Sequence, residues 1–234
     1  MSLKPGLNAL WPTPIGAYRF ADAAEVNPLL ARMFGALRAT QAHARGEPGD
    51  AAFFASADDL LQRIQIPEWQ QFVRFVLESL QHTVSGANAG AWPSAKLSMR
   101  IEIAGMWFQC SNRGAFHDLH NHLNCSWSGV YFVQVDPLGT RHAHPVFGPL
   151  NGVTRFYGPY LGRLGGAYID LGNAYLQQPQ HDVQAEEGLL VVFPSYLEHK
   201  ALPYEGERDR IVISFNAAIH AAEGDDRLFA YSSA

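Results

Sequence analysis

Cysteine is scarce in this chain of 234 residues: only Cys110 and Cys125 occur. Two cysteines do not make the disulfide framework of a small secreted domain. No apolar run reaches the roughly 20 residues that span a bilayer, and no secretory leader is read at the start of the sequence. Lys and Arg total 17 against 22 Asp and Glu, and the cations form no run, so nothing invites nucleic acid. Repeats and convincing linkers are also missing. These absences leave a cytoplasmic protein without membrane or nucleic-acid partners, its oligomeric state open. One domain over residues 1–234 is expected, and that length buries a core without staples.

Glycine and proline are well represented, which favours turns. Pro12 and Pro14 keep the segment from Ile15 to Phe20 at a sheet edge. Asn27-Pro28 reads as an N-cap with proline at the first helical position. Leu29, Leu30, Met33, Phe34 and Leu37 then share one face. Ser56 with Asp59 has the spacing of a capping box. Pro67 opens a helix striped by Phe72, Val73, Val76, Leu77, Leu80 and Val84, which ends at Gly86–Gly90. Such stripes are packing surfaces rather than ligand sites. Residues 1–90 thus form a mostly helical brace.

From Lys96 to Ile103 polar and apolar residues alternate, the period of a half-buried strand. Further strands are expected at Ser126–Val135, Leu189–Phe193 and Ile211–Ala217. Between Pro137 and Gln180 the composition suggests long loops around short strands. The fold class is mainly β with flanking helices (α+β). Its core, residues 91–220, is an antiparallel sheet curled into a jelly roll.

The chemistry concentrates at His117, His120 and His122. On an extended strand His120 and His122 leave one face, as does Asp118, whereas His117 has the wrong parity. Imidazole suits zinc, copper, iron or nickel. A third ligand must come from elsewhere, and His199 is the best candidate. In the last strand Ile211, Ile213 and Phe215 form an apolar face. Arg210, Val212, Ser214 and Asn216 form the opposite face, expected to line the interior. A buried Arg210 must be paired. An anionic ligand would pair it, and so would a carboxylate such as Glu102 or Asp209. Arg208 shares the parity of Arg210 but lies nearer the turn and should be more exposed.

Gly188-x-Leu-x-x-Phe193, a turn, His199-x-x-x-Pro203 and Arg210-x-x-x-Ser214 together resemble the distal half of the iron(II)- and 2-oxoglutarate-dependent oxygenases, near the prolyl hydroxylases. The proximal His-x-Asp motif of that family has its counterpart in His120-Asn-His122, ahead of Ser128-Gly-Val-Tyr-Phe132. A bacterial and phage branch with His-x-His-Pro, Ser-Gly-Val-Tyr-Tyr, Phe-Pro-Ser and Arg-x-x-x-Ser-Phe-Asn is more similar still. Its opening resembles Trp11-Pro-Thr-Pro-Ile15.

The resemblance implies a double-stranded β-helix (jelly roll), Fe(II) as cofactor and 2-oxoglutarate as cosubstrate. His120 and His199 would be the two histidines of the metal triad, and His122 would stand where the carboxylate stands. Asp118 is the alternative to His122. Arg210 would bind the distal carboxylate of 2-oxoglutarate, helped by Ser214. Asp118, Asn124, Phe132, Asn216 and Trp107 are expected in the pocket or just behind it. Leu123 and Phe132 depart from the branch's proline and tyrosine. The expected activity is hydroxylation of a small molecule or peptide. A cupin-like three-histidine dioxygenase without 2-oxoglutarate, or a non-catalytic metal-stabilised binding module, would use the same histidines.

Overall fold

The computed structural model of the protein describes Gly6 and residues 13–89, 99–158 and 179–221. The chain runs through β1 (Gly16–Arg19), α1 (Ala23–Arg45), β2 (Phe53–Ala55), α2 (Leu60–Arg63) and α3 (Pro67–Asn88). Next come β3 (Met99–Ser111), β4 (Ala115–His120) and β5 (Trp127–Gln134), then α4 (Leu138–His142) and a 3-10 turn at Gly148–Leu150. The last strands are β6 (Thr154–Tyr157), β7 (Gln180–Val183), β8 (Leu189–Pro194), β9 (His199–Tyr204) and β10 (Arg210–Ala221). They form two antiparallel sheets, ordered β1-β8-β5-β10-β3-β2 and β4-β9-β6-β7. This is the expected jelly roll, a double-stranded β-helix with helices against it.

Side-chain alternation in the large sheet explains the layering. Tyr131, Val133, Leu190, Val192, Ile211, Ile213 and Phe215 point outward and pack with Leu30, Phe34, Phe72, Val76 and Leu80 of the helices. Val130, Phe132, Val191, Phe193 and Val212, one residue out of phase, point inward and pack with Phe156, Leu197 and Tyr204. Strands covered on both faces read as continuous apolar runs. Each fully buried side chain of this size contributes roughly 1.5–3 kcal/mol. Gly129 faces Phe215 across the β5–β10 pair, and a Cβ there would come within 2.3 Å of that ring. Glycine in the Ser128-Gly-Val segment is therefore what lets Phe215 lie flat on the strand.

Two local readings are corrected. α1 begins at Ala23, with Asp22 before it and Pro28 inside. Asn27 is not a cap: it is buried, and its side chain accepts a hydrogen bond from the Tyr131 hydroxyl at 2.7 Å. Tertiary burial outweighs the local signal, and Pro28 is tolerated near the helix start, where it forfeits a single hydrogen bond. Ser56 caps nothing either; its hydroxyl accepts from the Phe108 amide at 3.0 Å, tying the loop to β3. The strand expected over Lys96–Ile103 is present from Met99, the first described residue there, and extends past Ile103 to Ser111. Trp11 and Pro12, Lys96–Ser98 and residues 159–178 lie outside the described residues.

β1 is an edge strand, as the prolines before it suggest. Besides its helices, the N-terminal segment contributes β1 and the unanticipated β2, which extend the large sheet at both ends. Between Pro137 and Gln180 the described residues hold α4, the 3-10 turn and β6.

Candidate metal centre

β4 and β9 are neighbours in the small sheet, with His120 opposite His199. Both imidazoles therefore project into the space between the sheets from adjacent strands. His122 lies just beyond the end of β4, where its amide donates to the Ser195 carbonyl at 2.9 Å. Ligand atoms of His120, His122 and His199 all lie within 4.8 Å of one another. His122 thus comes close to His120 by a route other than the shared strand face. A backbone clasp beyond the strand, not the strand itself, aims His122.

Two of the rings have their tautomers fixed. His199 Nδ1 lies 2.9 Å from the Leu197 carbonyl, and His120 Nδ1 lies 2.7 Å from the Asp118 carbonyl. A carbonyl only accepts, so Nδ1 carries the proton and Nε2 keeps its lone pair for a metal. Burial holds His199 down to about 3, against the raising effect of its Leu197 hydrogen bond, and the other histidines lower it further. Burial, then His120 and His117, lowers His122 to about 4. Both are neutral donors at physiological pH. Such a set fits an iron(II) ion, as it fits zinc, copper or nickel.

The same cavity is lined by Trp107, Gln109, Thr154, Arg210, Val212 and Ser214. Arg210 is 4% exposed. Its Nη2 donates to Thr154 Oγ1 at 3.1 Å, its guanidinium lies 5.2 Å from the centre of the Phe132 ring, and among the described residues its Nε has no partner. Burial pushes it down to about 10, and Arg141 adds to that. Neither carboxylate suggested as its partner is available: Glu102 pairs with Arg100 and Asp209 with Arg38. A buried cation without a carboxylate is costly, and an anion in the cavity would offset that cost. Gly152, at φ 74°, lets the backbone approach Tyr204 and Arg210; a Cβ there would sit 2.7 Å from the Tyr204 ring. Arg208 is the surface residue expected, 46% exposed and paired with Asp136 and Glu187.

The remaining expected residues separate. Trp107 lines the cavity, its ring centre 6.2 Å from that of His122. Phe132 is buried behind Arg210. Asp118 is exposed, and its carboxylate accepts from the Leu119 amide, so it does not join the histidine group. Asn124 is an exposed turn residue at φ 59°. Asn216 accepts from the Ser128 hydroxyl at 2.9 Å and stays outside the cavity lining.

His117, excluded by parity, lines the cavity after all. The register of β4 against β9 slips between His117 and His120, so three residues of β4 oppose two of β9. That extra residue restores His117 to the face of His120. Thr154 was also missed, because β6 lies in a stretch without clear periodicity.

Residues 105–216 match the model of a protein family described as "Putative 2OG-Fe(II) oxygenase". Among solved structures, the fold is similar to HygX from Streptomyces hygroscopicus with nickel, 2-oxoglutarate and hygromycin B bound. The two share 12% identity over 88% of this chain and 83% of that one, with a TM-score of 0.53. The non-heme α-ketoglutarate-dependent epimerase SnoN from nogalamycin biosynthesis shares 13% identity over 92% of this chain and 86% of that one, TM-score 0.53. A Pseudomonas putida prolyl-4-hydroxylase shares 17% identity over 87% and 92% of the two chains, TM-score 0.49. No curated protein matches the sequence.

Proposed function

We propose that the chain is a 2-oxoglutarate- and iron(II)-dependent oxygenase in which His120, His122 and His199 hold the iron and Arg210 and Ser214 bind 2-oxoglutarate; the match of residues 105–216 to that family's model and the three convergent histidines support this. The protein is an oxidoreductase of this family, a hydroxylase-type dioxygenase with Fe(II) as cofactor and 2-oxoglutarate as cosubstrate. Bound together, these supply the family's oxidising chemistry: dioxygen is consumed, 2-oxoglutarate becomes succinate and carbon dioxide, and one oxygen atom passes to the substrate.

The chain's own residues then have separable tasks. His120 and His199 present Nε2 from fixed tautomers, and His122 completes the triad from its clasp on Ser195. Three neutral imidazoles leave the full double charge on the ion, and Arg210 adds another. A dianion is the complementary guest. Thr154 orients the Arg210 guanidinium, whose planar fork suits a carboxylate. Trp107, Val130, Val212 and Phe193 keep the walls apolar and limit water. The substrate would be a small molecule or peptide. Among the described residues no helix is long and apolar enough to cross a membrane. With only two cysteines, both free, a cytoplasmic location suits the chain.

One observation carries this reading: a single cavity holds both the three convergent imidazoles and a buried arginine that has no carboxylate partner among the described residues. The test is anaerobic titration of 2-oxoglutarate into the Fe(II)-loaded protein, watched for a visible metal-to-ligand charge-transfer band. A saturable band of one equivalent is expected. Iron-loaded protein that shows neither band nor binding heat would overturn the reading.

A further inference from the structure

The cavity contains a fourth histidine that neither the metal cluster nor the arginine accounts for. His117 stands opposite Ala201, and Ala201 stands opposite Thr154. Farther along the same sheet, His120 stands opposite His199, and His199 opposite Phe156. The small sheet therefore offers the cavity two rungs. One carries metal donors; the other carries His117 and Thr154, and Arg210 reaches across from the large sheet to Thr154. Two residues of strand separate the rungs, about 6.6 Å. A five-carbon dianion held by metal at one end and Arg210 at the other lies along that step, and His117 flanks it.

The ring of His117 is held without using its nitrogens. It stacks on His120 with centroids 4.0 Å apart and planes at 26°, and Phe53 lies 5.8 Å away. His120 and His199 each commit Nδ1 to a carbonyl, whereas among the described residues no group hydrogen-bonds the His117 ring. His117 also stands outside the group whose ligand atoms converge within 4.8 Å. A fixed ring with a free N–H, facing the cavity but not the metal position, is a hydrogen-bond donor awaiting an acceptor.

We propose that His117 is a further cosubstrate-binding residue, donating its imidazole N–H to a carboxylate oxygen of bound 2-oxoglutarate. This rests on the oxygenase reading above. Arg210 and Ser214 serve one end of the dianion, and the metal serves the other. Their geometry leaves the flank toward β4 unserved, and His117 is the polar side chain on it. A hydrogen bond to an ionised acceptor is the strong kind, so the contact bears on affinity and not only on fit.

The test is calorimetric binding of 2-oxoglutarate to Mn(II)-loaded protein, alongside Mn(II) content and melting temperature. His117→Phe keeps a ring on His120 and removes the donor; His117→Gln keeps a donor and removes the aromatic stack. His117→Phe should hold Mn(II) like the wild type and bind 2-oxoglutarate roughly tenfold to a hundredfold more weakly, the range for a hydrogen bond to a charged group. His117→Gln should recover part of that loss. Where the Phe variant does not fold, His117→Ala gives the same comparison. Unchanged 2-oxoglutarate affinity in the folded variant overturns the proposal. So does selective loss of Mn(II), which would make His117 a support of the metal instead. An Arg210→Gln variant separates the two levels: if it alone loses 2-oxoglutarate, only the role of His117 fails. If even the wild type takes up none, the oxygenase reading fails and takes this inference with it.

Discussion

The two sheets of the jelly roll are built on different rules. Along β5 and β8 of the large sheet, residues alternate without a break between the helix-side core and the inter-sheet core. The small sheet has shorter strands, and its β4–β9 pairing slips register twice within six residues of β4. The large sheet provides stability and carries Arg210, just ahead of a register shift between Ile211 and Val212; the small one gathers the histidines. Regular strands can only repeat a side-chain direction, whereas a bulge re-aims one. The large sheet has breaks too, at Ile211/Val212 and Asn216/Ala217 of β10, but they are spread over strands of 8 to 13 residues instead of six.

The largest expected effect lies on the regular side. Phe72 is fully buried against Trp69 and Tyr131. Phe72→Ala should cost about 3–5 kcal/mol in chemical denaturation. Metal per folded molecule should stay at the wild-type value by elemental analysis. Metal lost without loss of stability would show that the helices reach the site.

On the irregular side, His199→Ala should reverse the pattern. Metal affinity should fall by more than the ~10–100-fold typical of outer-shell changes. The apo fold should survive, with an unaltered far-ultraviolet dichroism spectrum. A variant that unfolds instead would make His199 as structural as Phe72.

Arg210 joins the two sheets and should show a trade. Arg210→Lys loses the planar fork and should weaken 2-oxoglutarate by about 1–3 kcal/mol, with metal binding unchanged. Arg210→Met should abolish cosubstrate binding and raise the apo melting temperature, since it removes a buried cation that has no carboxylate partner among the described residues. A lower melting temperature in the Met variant would mean that Thr154 and Phe132 already satisfy the guanidinium.

The smallest effect concerns pH. Asp182 of β7 takes a two-pronged hydrogen bond from Arg155 of β6, both contacts at 2.7 Å, which holds its carboxyl below the ordinary value. A depressed folded value means the contribution is present above the unfolded value of 3.8 and disappears as pH falls through the folded one. For a partly exposed pair that contribution is about 0.5–1 kcal/mol. Asp182→Asn should therefore lower stability slightly at pH 7 and leave it unchanged near pH 2, read by denaturant titration at both pH values.

Legibility in the sequence follows the same division. β10 could be read face by face because its apolar and polar residues alternate at strand period, and Ile211, Ile213 and Phe215 do pack on the helices. The α3 stripe was legible for the same reason. His120, His122 and His199 could be grouped because motif spacing survives small changes in local geometry. Parity did not survive: one extra residue in β4 turned His117 from outside to inside, and nothing in Ala115-Phe-His-Asp-Leu-His120 announces a bulge. Asn27-Pro28 misled because a buried hydrogen bond to Tyr131, more than a hundred residues away, competes with a local cap signal. Asp118 was drawn in by strand parity and Asn124 by nearness in sequence, yet the Asp118 carboxylate accepts from the Leu119 amide and Asn124 is exposed at φ 59°.

The β4 irregularity also bears on how the molecule behaves among copies of itself. β4 is the outer strand of its sheet and carries exposed Phe116 and Leu119. A flat apolar outer strand invites strand addition by a neighbouring chain. The extra residue between His117 and His120 bends the strand and interrupts the row of amides and carbonyls that such a neighbour would need. The device that turns His117 inward therefore also guards against self-association. Straightening β4 by deleting that residue should yield a protein that aggregates before it loses its helices.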